Sequence, residues 1–300
     1  MTPGRIARTL GSMSPAIDRP DLGFLWNGRE DGAEGTRFTV EIPAACPAFR
    51  GHFSDRPILP AVAQLALVEQ GLARLDGAEC SRSPAIFEIS GLRLRRTVGP
   101  GERLTLRLGT ASEAGSRRFE IRAGDASVSG GTIRAVAEEP DETGSESIPT
   151  LDFEDVPEIS ALGRVPHSPP ALLIDGLVAR GPAGARSRGL IPADSPFAVA
   201  EFAPSYLGLE IAAQTAALAE ALGREGEDAA PRVGYLVAIR RARCFARSLP
   251  VGEPLDVVVG FSGSAPPLSI YELRVERSGR LLVEGTISTW IASQNGEGES

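Results

Sequence analysis

The chain has no lysine: all 31 of its basic residues are arginine, against 39 carboxylates, giving a net charge of −8. That balance leaves no basic excess suited to nucleic acid. Cysteine is scarce. Cys46, Cys80 and Cys244 are odd in number, widely spaced and in no C-x-x-C pair, which argues against a disulfide framework and a zinc site and makes each a buried, reduced side chain. No apolar run reaches membrane length, and residues 1–20 carry Arg5 and Arg8 without a signal-peptide core. A cytoplasmic location without membrane insertion is therefore the default expectation. Histidine is the rarest chemistry-bearing residue, with two copies, His52 and His167.

What is present is an ordinary globular composition, 42 % hydrophobic and 23 % charged, over 300 residues, enough for about two domains. Between Glu138 and Glu158 lie nine carboxylates and no basic residue, so the remainder of the chain nets +1. Such a run reads as a solvated linker. The expected organisation is a flexible tail at 1–20, a first domain at 21–137, an acidic linker at 138–158, a second domain at 159–293 and a flexible tail at 294–300.

The two domains repeat one pattern. In the first, a strand at 37–42 leads to a Gly- and Pro-braced loop and an apolar helix opened by Pro60 and stopped by Gly77; strands follow at 85–94, 103–109, 117–122 and 128–136. In the second, strands at 172–175 and 186–191 precede a helix at 204–222, stopped by Gly223; strands follow at 233–242, 255–260, 269–275 and 281–292. A shift of 144 aligns Pro60 with Pro204, Leu65 with Leu209 and Gln70 with Gln214. Gly101-Glu102 answers Gly252-Glu253, and Gly131-Thr132-Ile133 answers Gly285-Thr286-Ile287. Two α+β units should pack as a pseudo-dimer, each sharing its apolar surface with the other.

His52 lies between Gly51 and Phe53, just before a helix N-terminus with free N–H groups, an arrangement suited to proton abstraction beside an anion-stabilising helix end. His167, in a Pro-rich approach to a strand, reads as structural. Glu210 is the second candidate, placed mid-helix among apolar residues, where an unpaired buried carboxylate costs several kcal/mol. On helix pattern alone Tyr206, Glu210 and Gln214, at i, i+4 and i+8, read instead as an exposed polar strip. The repeat favours chemistry. The partner of Glu210 under the 144 shift is Ala66, and the second unit has no histidine from Ala193 to Pro204, so one half keeps a base and the other an acid.

Gly51-His52-Phe53, the Pro57-x-x-Pro60 spacing and the helix with Gln70 resemble the histidine loop of hotdog-fold 3-hydroxyacyl-acyl carrier protein dehydratases of bacterial fatty-acid synthesis. Pro166-His167-Ser168-Pro169-Pro170, Leu172-Leu173-Ile174-Asp175 and Leu209-Glu210-x-x-x-Gln214 resemble a second signature of that family, and Ala61-Val62-Ala63-Gln64-Leu65 is similar to its aryl-polyene branch. Three departures stand out. Ser54 replaces a usual proline and Ala61 a usual glycine, and the family acid would fall at Ala66, so the first unit cannot supply it.

The resemblance implies an α+β double hotdog with one composite site, His52 as base and Glu210 as acid, and a dead mirror site. It implies an oxyanion contact from backbone at Ala61 and Gly51, and a substrate tunnel formed by Phe53, Ile58, Tyr206 and Gln214. The carboxyl of Glu210 is expected to titrate high, as a general acid should. No metal or redox cofactor is implied. The expected partner is an acidic acyl carrier protein bringing the substrate on its phosphopantetheine arm, docked on Arg93, Arg95 and Arg96 ahead of Arg240, Arg241 and Arg243. Arginines alternating on a strand also fit a plain solvated face. A hotdog thioesterase or a non-catalytic carrier-binding subunit stays open, as does pairing into a homodimer.

Overall fold

The computed structural model describes residues 19–75, 86–136, 152–223, 234–265 and 267–291. Most of the expected N-terminal tail, Gly77, Cys80, the acidic run up to Leu151 and the C-terminal tail lie outside the described residues. The first unit contains β1 (Leu25–Gly32), β2 (Gly35–Glu41), α1 (Ala61–Leu75), β3 (Ile86–Leu94), β4 (Arg103–Gly109), β5 (Ser116–Ala123) and β6 (Ala126–Val136). The second contains β7 (Glu154–Ser160), β8 (Ile174–Gly181), β9 (Gly184–Leu190), β10 (Phe202–Pro204), α2 (Leu207–Gly223), β11 (Gly234–Cys244), β12 (Ser248–Pro250), β13 (Pro254–Ala265), β14 (Leu268–Arg277) and β15 (Arg280–Ile291).

Thirteen strands form one sheet in the order β1-β2-β4-β5-β6-β3-β11-β15-β14-β13-β9-β8-β7, with every pairing antiparallel. Read from the centre outward, the second half repeats the first and adds β7 at the edge. The halves join where β3 meets β11, with Ile239 opposite Leu92 and Ala242 opposite Ile89. This is the expected duplication in three dimensions. Its sequence matches mark equivalent contacts: Gly101 and Gly252 donate to the carbonyls of Ile42 and Ile191 at 2.8 and 2.9 Å. A Cβ at Gly131 would lie 2.8 Å from Leu92 Cα, and one at Gly285 would lie 2.7 Å from the Arg241 carbonyl, so both glycines admit the strand beside them.

Alternation buries one face of each strand against the helices. Leu104, Leu106 and Leu108 of β4 point inward in the first unit, as do Leu255, Val257 and Val259 of β13 in the second. Each such burial contributes about 1.5–3 kcal/mol. Both helices are buried along most of their length and pack on each other. No helix among the described residues is long and apolar enough to cross a membrane.

Four differences from the sequence reading have physical causes. β1 is almost wholly exposed and so lacks the alternation that would reveal it. β7 takes Glu154–Glu158 out of the expected linker; its charges face water on an edge strand, and the register slips around Pro157. α2 starts at Leu207, not Pro204, because Phe202–Pro204 pair with β12. Leu172 and Leu173 precede β8 as irregular chain, because the Gln214 side chain takes the Ala171 carbonyl and the Leu173 N–H at 2.8 Å each.

Tyr206 is 1 % exposed and donates to Glu69 Oε2 at 3.0 Å, in a core network that includes Arg19, 3.4 Å from the same carboxylate. Removing that hydroxyl takes a donor from a buried carboxylate. Tyr206→Phe should therefore cost about 1–3 kcal/mol, read as a lower urea midpoint at unchanged slope.

Candidate active site

The site forms where one loop from each unit meets. Gly51 has φ +75°, and a Cβ there would lie 2.1 Å from the Ser168 carbonyl oxygen. With glycine in place the loops cross closely, Ser168 N–H donates to the Gly51 carbonyl at 2.9 Å, and the backbones of His52 and His167 form an antiparallel bridge. Gly51 thus serves the crossing and is not among the residues lining the cavity, contrary to the expected oxyanion role. The two imidazole centroids lie 5.0 Å apart.

His52 is 5 % exposed, and its Nδ1 lies 2.7 Å from the Ile58 carbonyl. A carbonyl only accepts, so Nδ1 carries the hydrogen and Nε2 keeps its lone pair. Burial, then the charge of His167, lowers its pKa to about 4, against the opposing pull of Glu210 and the Ile58 carbonyl. His52 is therefore a neutral base at physiological pH.

Glu210 sits in the first turn of α2, where the helix dipole favours a carboxylate. It is 7 % exposed, so Tyr206, Glu210 and Gln214 are an interior row and not the surface strip that spacing alone allows. Gln214 Nε2 donates to Glu210 Oε1 at 3.1 Å, and His167 Nε2 lies 3.1 Å from the same oxygen. Burial pushes the carboxyl up, but the His167 contact and charge, His52 and Gln214 outweigh it and hold Glu210 at about 2. The expectation of a raised value fails because it weighed the apolar helix without His167. His167, read as structural from its Pro-rich loop, is brought to this acid: its ring is 8 % exposed and faces Glu210.

A cavity of about 380 Å³ opens on these groups. Phe53, Ile58 and Ala61 line it, as do Glu210, Ala213, Ala217 and Glu220 from one face of α2. Tyr206 and Gln214 are not tunnel walls, the first being held in the core by Glu69 and the second tying α2 to the His167 loop. Phe53 stacks on Tyr235 at 5.3 Å and Tyr235 on Trp290 at 5.9 Å, giving the cavity a row of flat rings, two of which the sequence reading missed. Arg95 and Arg96 also line it, with Arg56; Arg93 belongs to a larger cleft over the first unit's sheet. Arg240 and Arg241 bond Ser288 and Thr286, and Arg243 pairs with Glu88 and Glu284, so the second arginine cluster is engaged along the sheet.

The donor atoms of His52, His167 and Glu210 all lie within 4.8 Å of one another, the cluster among the described residues whose spacing could hold a metal ion. A cation there would take the one lone pair that leaves His52 a base.

Residues 29–132 match the ApeI dehydratase family and residues 159–297 the ApeP dehydratase family. A 3-hydroxyacyl-[acyl-carrier-protein] dehydratase FabZ of Variovorax paradoxus is 34 % identical over 102 residues, 31 % of this chain and 68 % of the relative. The chain belongs to the hotdog-fold dehydratase family. A FabZ of Agrobacterium fabrum is 39 % identical over 67 residues, 20 % of this chain; the chain spans 41 % of that relative and 51 % of one from Sinorhizobium fredii. Among solved structures, the dehydratase domain of PpsC from Mycobacterium tuberculosis, in complex with C12:1-CoA, superposes with TM-score 0.62 at 16 % identity over 91 % of this chain and 99 % of that one. That of RzxB from Pseudomonas fluorescens gives 0.63 at 16 %, over 88 % and 97 %. These two likenesses bear on fold alone, and the fold is the expected double hotdog.

The His52 geometry has a consequence for stability. The unfolded chain takes up this proton near 6.5, the folded chain only near 4, so stability is full above 6.5 and falls as pH drops between them. The loss should reach about 3 kcal/mol by pH 4. Urea titrations between pH 7 and 4 should show the slope in the wild type and a shallower one in His52→Gln, with Glu210 adding its own loss only below 4.5.

Proposed function

We propose that the chain dehydrates (3R)-hydroxyacyl thioesters of an acyl carrier protein to trans-2-enoyl thioesters, with one composite site per chain. The observation that carries this is the tautomer of His52, whose Nδ1 is committed to Ile58 while Nε2 stays free in a cavity shared with Glu210. Such a base removes the C2 proton; the C–H electron pair becomes the C2–C3 double bond, and the C3 hydroxyl departs on the Glu210 side, protonated as water. Ala61, the first residue of α1, lines the cavity and offers a helix-end N–H to the thioester oxygen as charge builds there. Arg56, Arg95 and Arg96 give the cavity a positive rim for an acidic carrier, a narrower surface than the two expected arginine clusters.

A hotdog thioesterase would need Glu210 but no histidine base, and a binding subunit would need neither. The buried, tautomer-fixed His52 supports dehydration over both. The test is turnover of 3-hydroxyacyl-carrier substrates followed by mass spectrometry. The wild type should lose water from the substrate, and His52→Ala and Glu210→Gln should each be slower by about 10²–10⁴. Release of free acid, or an inert wild type on short, long and aryl-substituted chains, would overturn the reading.

A further inference from the structure

The dehydratase reading leaves one proton unaccounted for. Water departs only if the leaving hydroxyl is protonated, yet the Glu210 carboxyl is held in its ionised form by its neighbours. The groups around it answer the question. From α2 come Gln214, which donates to Glu210 Oε1, and Glu210 itself; from the first unit's loop comes His52, with Nδ1 fixed on Ile58; from the second unit's loop comes His167. Arg56, Arg95, Arg96 and Glu220 are the other charged groups lining the cavity.

Resting on that reading, we infer that His167 and Glu210 form one proton-carrying pair, in which His167 is the positioning residue that stores the proton Glu210 delivers to the leaving hydroxyl. Two observations and one charge argument support it. His167 Nε2 lies 3.1 Å from Glu210 Oε1, while neither ring nitrogen makes an aligned hydrogen bond. A buried imidazole so placed has the carboxylate as its nearest use, and a small ring rotation completes the bond. Second, imidazolium and carboxylate together carry no net charge, and a hydrogen-bonded pair avoids the penalty of a lone buried carboxylate. Third, Gln214 fixes the separation: it bonds Ala171 and Leu173 in the His167 loop and Glu210 on its own helix.

The cycle balances without a co-reactant. The C2 proton goes to His52 Nε2, the C3–O bond breaks with its electron pair on oxygen, and the pair's proton completes the water molecule. That leaves protonated His52, a carboxylate and neutral His167. Proton transfer from His52 to the pair, relayed by the water just formed between side-chain atoms that all lie within 4.8 Å of one another, restores the resting state.

The test has two arms. In the first, kcat/KM is measured against pH for the wild type, His167→Gln and His167→Asn. With Glu210 left to carry the proton by itself, activity at pH 7 should fall at least tenfold and recover toward pH 5, the basic limb moving acidward by more than one unit. An unchanged profile, or a loss equal at every pH, would overturn the pairing. The second arm needs no turnover and keeps His167: imidazole nitrogen NMR at pH 7, simplified by the chain's two histidines. Nε2 of His167 should be protonated in the wild type and lose that proton in Glu210→Gln; an imidazole indifferent to that substitution would sink the proposal. Should the wild type dehydrate nothing, the functional reading falls while this arm still judges the pair.

Discussion

The crossing of two loops, sealed by the Ser168 N–H on the Gly51 carbonyl, sets the geometry on which the site depends. A backbone hydrogen bond contributes a net of about 1 kcal/mol, far too little to hold two units together. That work falls to the joined sheet at β3 and β11 and to the apolar surface buried around the helices. The crossing sets register. With the halves already bound, it decides whether His52 and His167 arrive beside Glu210, and a methyl group on Gly51 would occupy the space that the Ser168 carbonyl needs.

The parts of the fold legible in the sequence were those with a periodic burial pattern. The two helices, and strands such as β4, announce themselves by alternation or apolar runs because one face of each is core. β1 and β7 carried no such signal, one being almost wholly exposed and the other a charged edge that composition assigns to a linker. His52 and Glu210 were singled out through the repeat, since each stands where the other half has a different residue, and the structure brings both to one cavity. His167 was not: a histidine between proline and serine looks like loop packing until the crossing brings it to the acid. The misreadings of Tyr206 and Gln214 have a shared cause, because helix spacing gives a face but not what that face meets.

The asymmetry of the halves extends beyond the lost residues. Ala66, at the position matching Glu210, is buried in the core, and one turn further along α1 a different acid, Glu69, is tied to Tyr206 of the other half and lies beside Arg19. The duplicated frame keeps its glycine turns and its strand order. Around Ala66 the matching interior surface holds the Glu69–Tyr206 polar network, where the other holds the cluster of His52, His167 and Glu210.

Charge balance explains how three titratable groups share one buried pocket. At rest His52 is neutral and the Glu210–His167 pair carries opposite charges, so the sum is zero. After both proton transfers His52 bears the positive charge, Glu210 remains negative and His167 is neutral, and the sum is again zero. A protonated carboxyl with one histidine would also sum to zero before and after, but the neighbours of Glu210 hold its carboxyl ionised, and a carboxylate beside one neutral histidine is a net buried charge that costs several kcal/mol. Here the positive charge only moves from one imidazole to another, and Glu210 faces both: its pull on a His52 proton is already present at rest, opposing burial, and is strongest when the base has done its work.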